Sequence, residues 1–207
     1  MDTTRGFHAN STLPIAALLA ACFTMTACER QPVADQSADQ SVDKSLDQAA
    51  DAGVVWAVNV AGPTYTAVDG TTYEAESSVT GGETGTLAIV KGSQDAPLYE
   101  QYREGDVQIS REIPKGSYDV TFHFAEPHDI GGRERVFDTL IGGNVVIDAL
   151  DVMASRDGKI HSALSVTVPD VDITDGKLDV EFRASAGLPV LSALVVRNAV
   201  PRSDDWN

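Results

Sequence analysis

The 207-residue sequence predicts an all-β fold, a two-sheet antiparallel β-sandwich, over residues 53–199. Three observations carry this. Short runs rich in Val, Ile, Thr, Phe and Tyr follow one another, with Gly, Pro and Asp-Gly breaks between them. The run 118–124 alternates strictly, with Tyr118, Val120, Phe122 and Phe124 on one face and Asp119, Thr121 and His123 on the other. No part of this span keeps a 3.6-residue apolar period, so helices are not expected. Many short strands at this spacing suit two packed sheets.

The elements follow in order. Residues 54–60 read as the opening strand, ended by Gly62-Pro63. Residues 64–68 lie between that break and the Asp69-Gly70 turn and read as loop. Gly81-Gly82 breaks the chain again, and 86–90 is a weak strand whose apolar residues do not alternate. Residues 98–138 read as a strand, a Gly-containing turn, the alternating strand, a polar loop and a further strand. Strands are also expected at 135–141, 144–147, 164–168, 178–182 and 191–196. Gly142-Gly143 and Asp175-Gly176 read as hairpin-type turns between them. The alternating strand should bury one face and leave the other solvated. Trp56, Phe122, Phe124 and Phe137 are expected in the core. Residues 200–207 read as a polar tail with Trp206 as its main apolar side chain.

Charge and cysteine content exclude several functions. The net charge is -16, which leaves no basic surplus to neutralise nucleic-acid phosphates or to hold an anionic lipid surface. Both cysteines, Cys22 and Cys28, precede residue 53, so the sandwich has no disulfide framework or Cys-based zinc site. The four histidines show no metal-ligand spacing, and no metal or cofactor is expected. Glycoside hydrolysis would need two carboxylates across a cleft. With 31 acidic residues such pairs arise by chance, and no nucleophile elbow, P-loop or dinucleotide fingerprint is present, so no enzyme is expected.

Residues 1–28 read as a lipoprotein signal. Residues 13–27 form an apolar run of signal-peptide length, too short to span a membrane comfortably. It ends at Cys28, followed by Glu29-Arg30-Gln31, and resembles a bacterial lipoprotein signal whose cysteine is acylated. Leu19-Ala20-Ala21-Cys22 fits the lipobox letters better, while Cys28 has the better apolar length, so both remain candidates with Cys28 favoured. An ordinary secretory signal with incidental cysteines is the alternative. Several acyl chains on one cysteine would anchor the protein stably in a membrane. Residues 29–52 form an acidic linker in which Asp35, Asp39, Asp43, Asp47 and Asp51 recur every four residues. Its apolar side chains are too small and sparse to offset ordering entropy. Fully extended, it would reach roughly 80 Å.

Residues 54–197 resemble the malectin and malectin-like family. The letters that carry this come in the family's order: 54–59, Asp69-Gly70, 73–76, Gly81-Gly82, Leu98-Tyr99, 103–105, Ile113-Pro114, 116–118, 123–126, 135–138, then Pro189 with 191–194. The resemblance implies a jelly-roll-like sandwich that binds carbohydrate without acting on it. It also implies loop aromatics and one acidic residue contacting a glucose disaccharide. By position these fall at Ser78 or Val79, Glu104, Pro127, His128 and near Gly187, and none of the family's identities is kept.

Neighbouring residues could replace them. Tyr102, placed on the same loop as Glu104, and Tyr65, on the 64–68 loop, could each offer a ring for stacking. Arg103 could touch ligand or serve as an ion-pair partner. Glu126 could touch ligand or orient a loop by accepting backbone N–H bonds. His128 and Asp129 could bind hydroxyls or stand solvated. The expected function is a carbohydrate-binding module, lipid-anchored at the bacterial cell envelope, on the outer membrane or cell surface. The rival is a sandwich without sugar binding that contacts a protein partner in an envelope complex. A concave loop end with an exposed Tyr65 or Tyr102 would favour the first, and a flat end without one the second.

Overall fold

The computed structural model describes residues 53–200. The expected signal segment with Cys22 and Cys28, the expected linker and Trp206 lie outside the described residues. Fourteen strands follow in chain order: β1 Val54–Asn59, β2 Tyr65–Thr66, β3 Thr72–Ala75, β4 Val79–Thr80, β5 Glu83–Thr86, β6 Gln101–Glu104 and β7 Gln108–Glu112. After them come β8 Gly116–Ala125, β9 Val136–Ile141, β10 Asn144–Leu150, β11 Ala163–Ile173, β12 Lys177–Ala186, β13 Val190–Leu191 and β14 Ala193–Asn198. The six-stranded sheet runs β11-β8-β14-β1-β3-β2 and the five-stranded sheet β10-β9-β12-β7-β4. A small third sheet, β13-β6-β5, adds to these two. Pairing is antiparallel except for β1 with β3. The all-β antiparallel sandwich read from the sequence is therefore present.

The alternation of β8 builds the centre of the core. Phe122 and Phe124 point inward, stacked with centroids 6.1 Å apart. Phe137 of β9 meets Phe124 edge-on at 5.8 Å, and Phe182 of β12 meets Phe137 at 5.9 Å and Phe122 at 6.4 Å. Four rings thus join strands of both principal sheets, and the three contacts besides the Phe122–Phe124 stack take the edge-to-face geometry that aromatic quadrupoles favour. Trp56 is buried as expected, with its ring N–H donated to Glu74 and the Arg111 guanidinium 5.3 Å above its ring.

Several local expectations need correction. Gly142-Gly143 is a tight hairpin turn, with both residues at positive φ, between β9 and β10. Asp175-Gly176 is not a hairpin: β11 belongs to the six-stranded sheet and β12 to the five-stranded one, so the chain crosses between sheets there. Residues 65–66 pair with 72–73 and form a short ladder where loop was expected. The weak strand at 86–90 ends at Thr86, after which Leu87 is buried and donates its N–H to the Glu100 carbonyl. Tyr102 lies on β6 rather than on a loop, and β7 is an added strand between Gly105 and β8. The outer face of β8 is only partly solvated, because His123 is buried there beneath two tyrosines.

Candidate functional site

Two polar sites emerge, one at the loop end and one on a sheet face. The loop end gathers where β6 finishes, β8 finishes and β9 begins. Arg135 donates from Nε to Glu126 Oε2 at 2.7 Å and from Nη2 to Glu126 Oε1 at 3.2 Å. Its Nη2 also donates to Glu104 Oε1 at 2.6 Å, and its Nη1 to the Leu188 carbonyl. Glu104 Oε2 meets His128 Nε2 at 2.9 Å. Glu126 is 1% exposed and Arg135 3%, so the charges lie inside the protein and need each other. Burial is the largest influence on the Glu104 carboxyl and raises it. Hydrogen bonds from His128 and Arg135 outweigh burial and bring Glu104 below the usual carboxylate range.

Successive strand residues face opposite ways, so Arg103 enters a separate network from Glu104. Arg103 clamps Glu76 with two bonds of 2.7 and 2.5 Å and donates to the Gly81 carbonyl at 2.7 Å. The Arg103 contact is the main cause that holds Glu76 low. Gly81 must be glycine: its φ is +72° and a Cβ would sit 2.0 Å from the Asp106 carbonyl oxygen. Arg103 is thus an ion-pair partner that ties the Gly-Gly turn to β6.

The candidates separate clearly. Glu104, Glu126 and His128 meet over Arg135, although Glu104 and His128 are 24 residues apart in sequence. Glu126 orients the loop after β8 by accepting the His128 N–H at 3.0 Å. Asp129 is exposed on that loop. Tyr102 does not offer a ring: it is 8% exposed and packs on Gly85, whose added Cβ would meet it at 2.1 Å. Tyr65 is half-buried on β2 and donates its hydroxyl to Asp95 at 2.9 Å, away from the Arg135 network. Near the family's acidic position, Gly187 has φ +63° and a Cβ there would meet the Glu134 carbonyl oxygen at 2.4 Å. No side chain fits at Gly187 without a backbone shift.

The second site is a cleft of about 530 Å³ on the outer face of the six-stranded sheet. Its floor is His123 of β8, held between Tyr73 and Tyr99 in edge-on contacts of 5.7 and 5.6 Å. Tyr73 Oη lies 3.0 Å from His123 Nε2, and Tyr99 Oη 2.9 Å from Nδ1. Ser165 of β11 completes a triangle, 3.0 Å from Nδ1 and 2.8 Å from Tyr99 Oη. On the rim, Arg197 bonds Asp69 at 3.0 Å and Thr71 at 2.6 Å, and Asp95 Oδ1 accepts from Tyr65 and from the Val68 N–H. Sequence reading missed this cluster. Its members lie 50 and 24 residues before His123 and 42 after it, so no local spacing marks them.

Burial, and next the Arg197 charge, push His123 down to about 4, against the opposing pull of Asp95 and Asp69. The ring is therefore neutral in the folded protein at neutral pH, while the unfolded chain takes up its proton near 6.5. The unfolded state binds more protons between those values, so stability falls as pH drops through them. The expected loss from this residue is about 3 kcal/mol. Urea unfolding of the wild type and His123→Gln at pH 7 and pH 4.5 should show a smaller acid-side loss in the variant. An equal loss in both would contradict the assignment.

The architecture defines an all-β antiparallel sandwich. Residues 54–194 match the model of the Malectin domain, and the chain belongs to that family. This is a carbohydrate-binding type of fold. Malectin of Danio rerio is 30% identical over 143 residues, covering 64% of this chain and 48% of its own length. Malectin of Homo sapiens is 29% identical, covering 64% and 47%. The chain thus spans about half the length of the curated relatives it matches. Among solved structures, a Bacteroides uniformis beta-glucuronidase superposes with TM-score 0.61 at 22% identity, over 70% of this chain and 18% of that one. The ANXUR1 extracellular domain of Arabidopsis thaliana gives 0.60 at 13%, over 69% and 47%. A complex of the plant peptide RALF23 with FER and LLG2 gives 0.58 at 16%, over 69% and 48%. At these identities the likeness establishes the fold alone.

Proposed function

We propose that this chain is a non-catalytic carbohydrate-binding module held at the bacterial cell envelope. In this reading a lipid on Cys28, with Cys22 as the alternative, anchors the chain, and residues 29–52 carry the sandwich away from the membrane. The observation that supports sugar recognition is the match of nearly the whole described sandwich to a carbohydrate-binding type of fold. A second reading has its own support. The loop end, where the family's contact positions fall, carries the Arg135–Glu104–His128 network, its Tyr102 ring is buried, and Tyr65 lies elsewhere, bonded to Asp95. That favours a sandwich that contacts a protein partner of the envelope.

A glycan array probed with the full chain separates the two. Binding to a defined glycan supports the sugar reading, and binding to none favours the protein reading. The anchor is tested by feeding cells a clickable fatty acid. Label should be lost in Cys28→Ala and kept in Cys22→Ala. Equal labelling in both single variants, or none in the wild type, would contradict Cys28 as the anchor.

A further inference from the structure

We propose that the cleft on the outer face of the six-stranded sheet is a binding site for a neutral sugar residue, recognised through the hydroxyl cluster around His123. This rests on the carbohydrate reading above and places the ligand away from the loop end. The volume, about 530 Å³, lies within the range of small-molecule sites.

Proton counting gives the cleft a donor. With the imidazole neutral, the cluster has one ring N–H and three hydroxyl protons, those of Tyr73, Tyr99 and Ser165. If Nε2 carries the ring proton, it donates to Tyr73, and the Tyr73 proton has no acceptor within the cluster. If Nδ1 carries it, Tyr73 donates to Nε2. Then the protons of Tyr99 and Ser165 share one hydroxyl–hydroxyl contact, and one is left over. Either tautomer leaves one hydroxyl proton for an acceptor outside the cluster, and all three hydroxyl residues line the cleft.

Asp95 supplies the matching acceptor. Its Oδ1 takes both intrachain donors, from Tyr65 and Val68, which leaves Oδ2 for a ligand. One donor and one acceptor on the same cleft suit sugar hydroxyls, each of which both donates and accepts. Charge narrows the class further. Arg197 is matched by Asp69 at 3.0 Å, so Asp95 sets the balance and the cleft is net negative. Uronic acids are therefore disfavoured.

The test uses the full chain and the neutral oligosaccharide that binds it best on the array. Asp95→Asn replaces the free acceptor by a donor, and Ser93→Trp fills the cleft from an outer loop. Each should weaken binding about tenfold or more, with circular dichroism and melting showing a folded protein. The matching uronic acid should bind about tenfold more weakly than the neutral sugar. If the wild type binds a glycan and both folded variants bind within about twofold of it, the cleft is not the site and the carbohydrate reading survives. A best ligand that is a uronic acid or an amino sugar overturns the neutral assignment. No binding to any glycan removes the carbohydrate reading and this proposal with it.

Discussion

Replacing Arg135 by methionine is expected to destabilise the sandwich by about 3–5 kcal/mol, read as a lower urea midpoint at unchanged slope. Arg135 lies inside the protein and donates to two carboxylates and to the Leu188 carbonyl. Its loss strands Glu126, which is 1% exposed and would keep only the backbone N–H of His128 as a donor to its carboxylate. A buried carboxylate without a counter-charge must be desolvated unpaired or take up a proton, and both are costly. The double variant Arg135→Met/Glu126→Gln removes both charges and should recover a large part of the loss. A cost below about 1 kcal/mol for the single variant would place this network among exposed pairs that contribute little.

Truncating Phe122 to alanine should cost a similar amount, about 3–5 kcal/mol, by a different mechanism. Phe122 is fully buried, stacks on Phe124 and meets Phe182 edge-on, so its removal opens a cavity between the two principal sheets. The ring also loses its aromatic contacts, which the smaller side chain cannot replace. Phe122→Leu refills part of the space and should cost clearly less than Phe122→Ala. Equal losses for the two would mean that the site collapses around either residue and that ring packing contributes little.

The core was legible in the sequence because it follows a local rule. Strict alternation at 118–124 fixes which side chains of β8 point inward, and Phe122 and Phe124 sit there. Gly142-Gly143 was legible for the same reason, since a two-residue turn at positive φ is a local requirement. Asp175-Gly176 has equally good turn letters, but they do not say which sheet receives the next strand. Tyr102 was misplaced because its burial depends on Gly85, across a strand pair rather than nearby in the chain. The sites were hardest to read. Glu104, His128 and Arg135 meet only after the strands are laid down, and His123 gathers partners from β3, β11 and the segment around Tyr99. Departures of Glu104, His128 and Gly187 from the family's letters gain a physical account in the fold: an ion-pair network fills the first two positions, and a left-handed backbone against Glu134 keeps side chains from the third.

The most direct test is a chemical-shift titration of the full chain with the neutral oligosaccharide that binds it best. If the sheet-face cleft holds the ligand, amide shifts should centre on Tyr73, Asp95, Tyr99, Ser165 and Arg197, leaving Glu104, His128 and Asp129 nearly still. Shifts centred on Glu104, His128 and Asp129 with a quiet cleft would contradict it and return sugar recognition to the loop end.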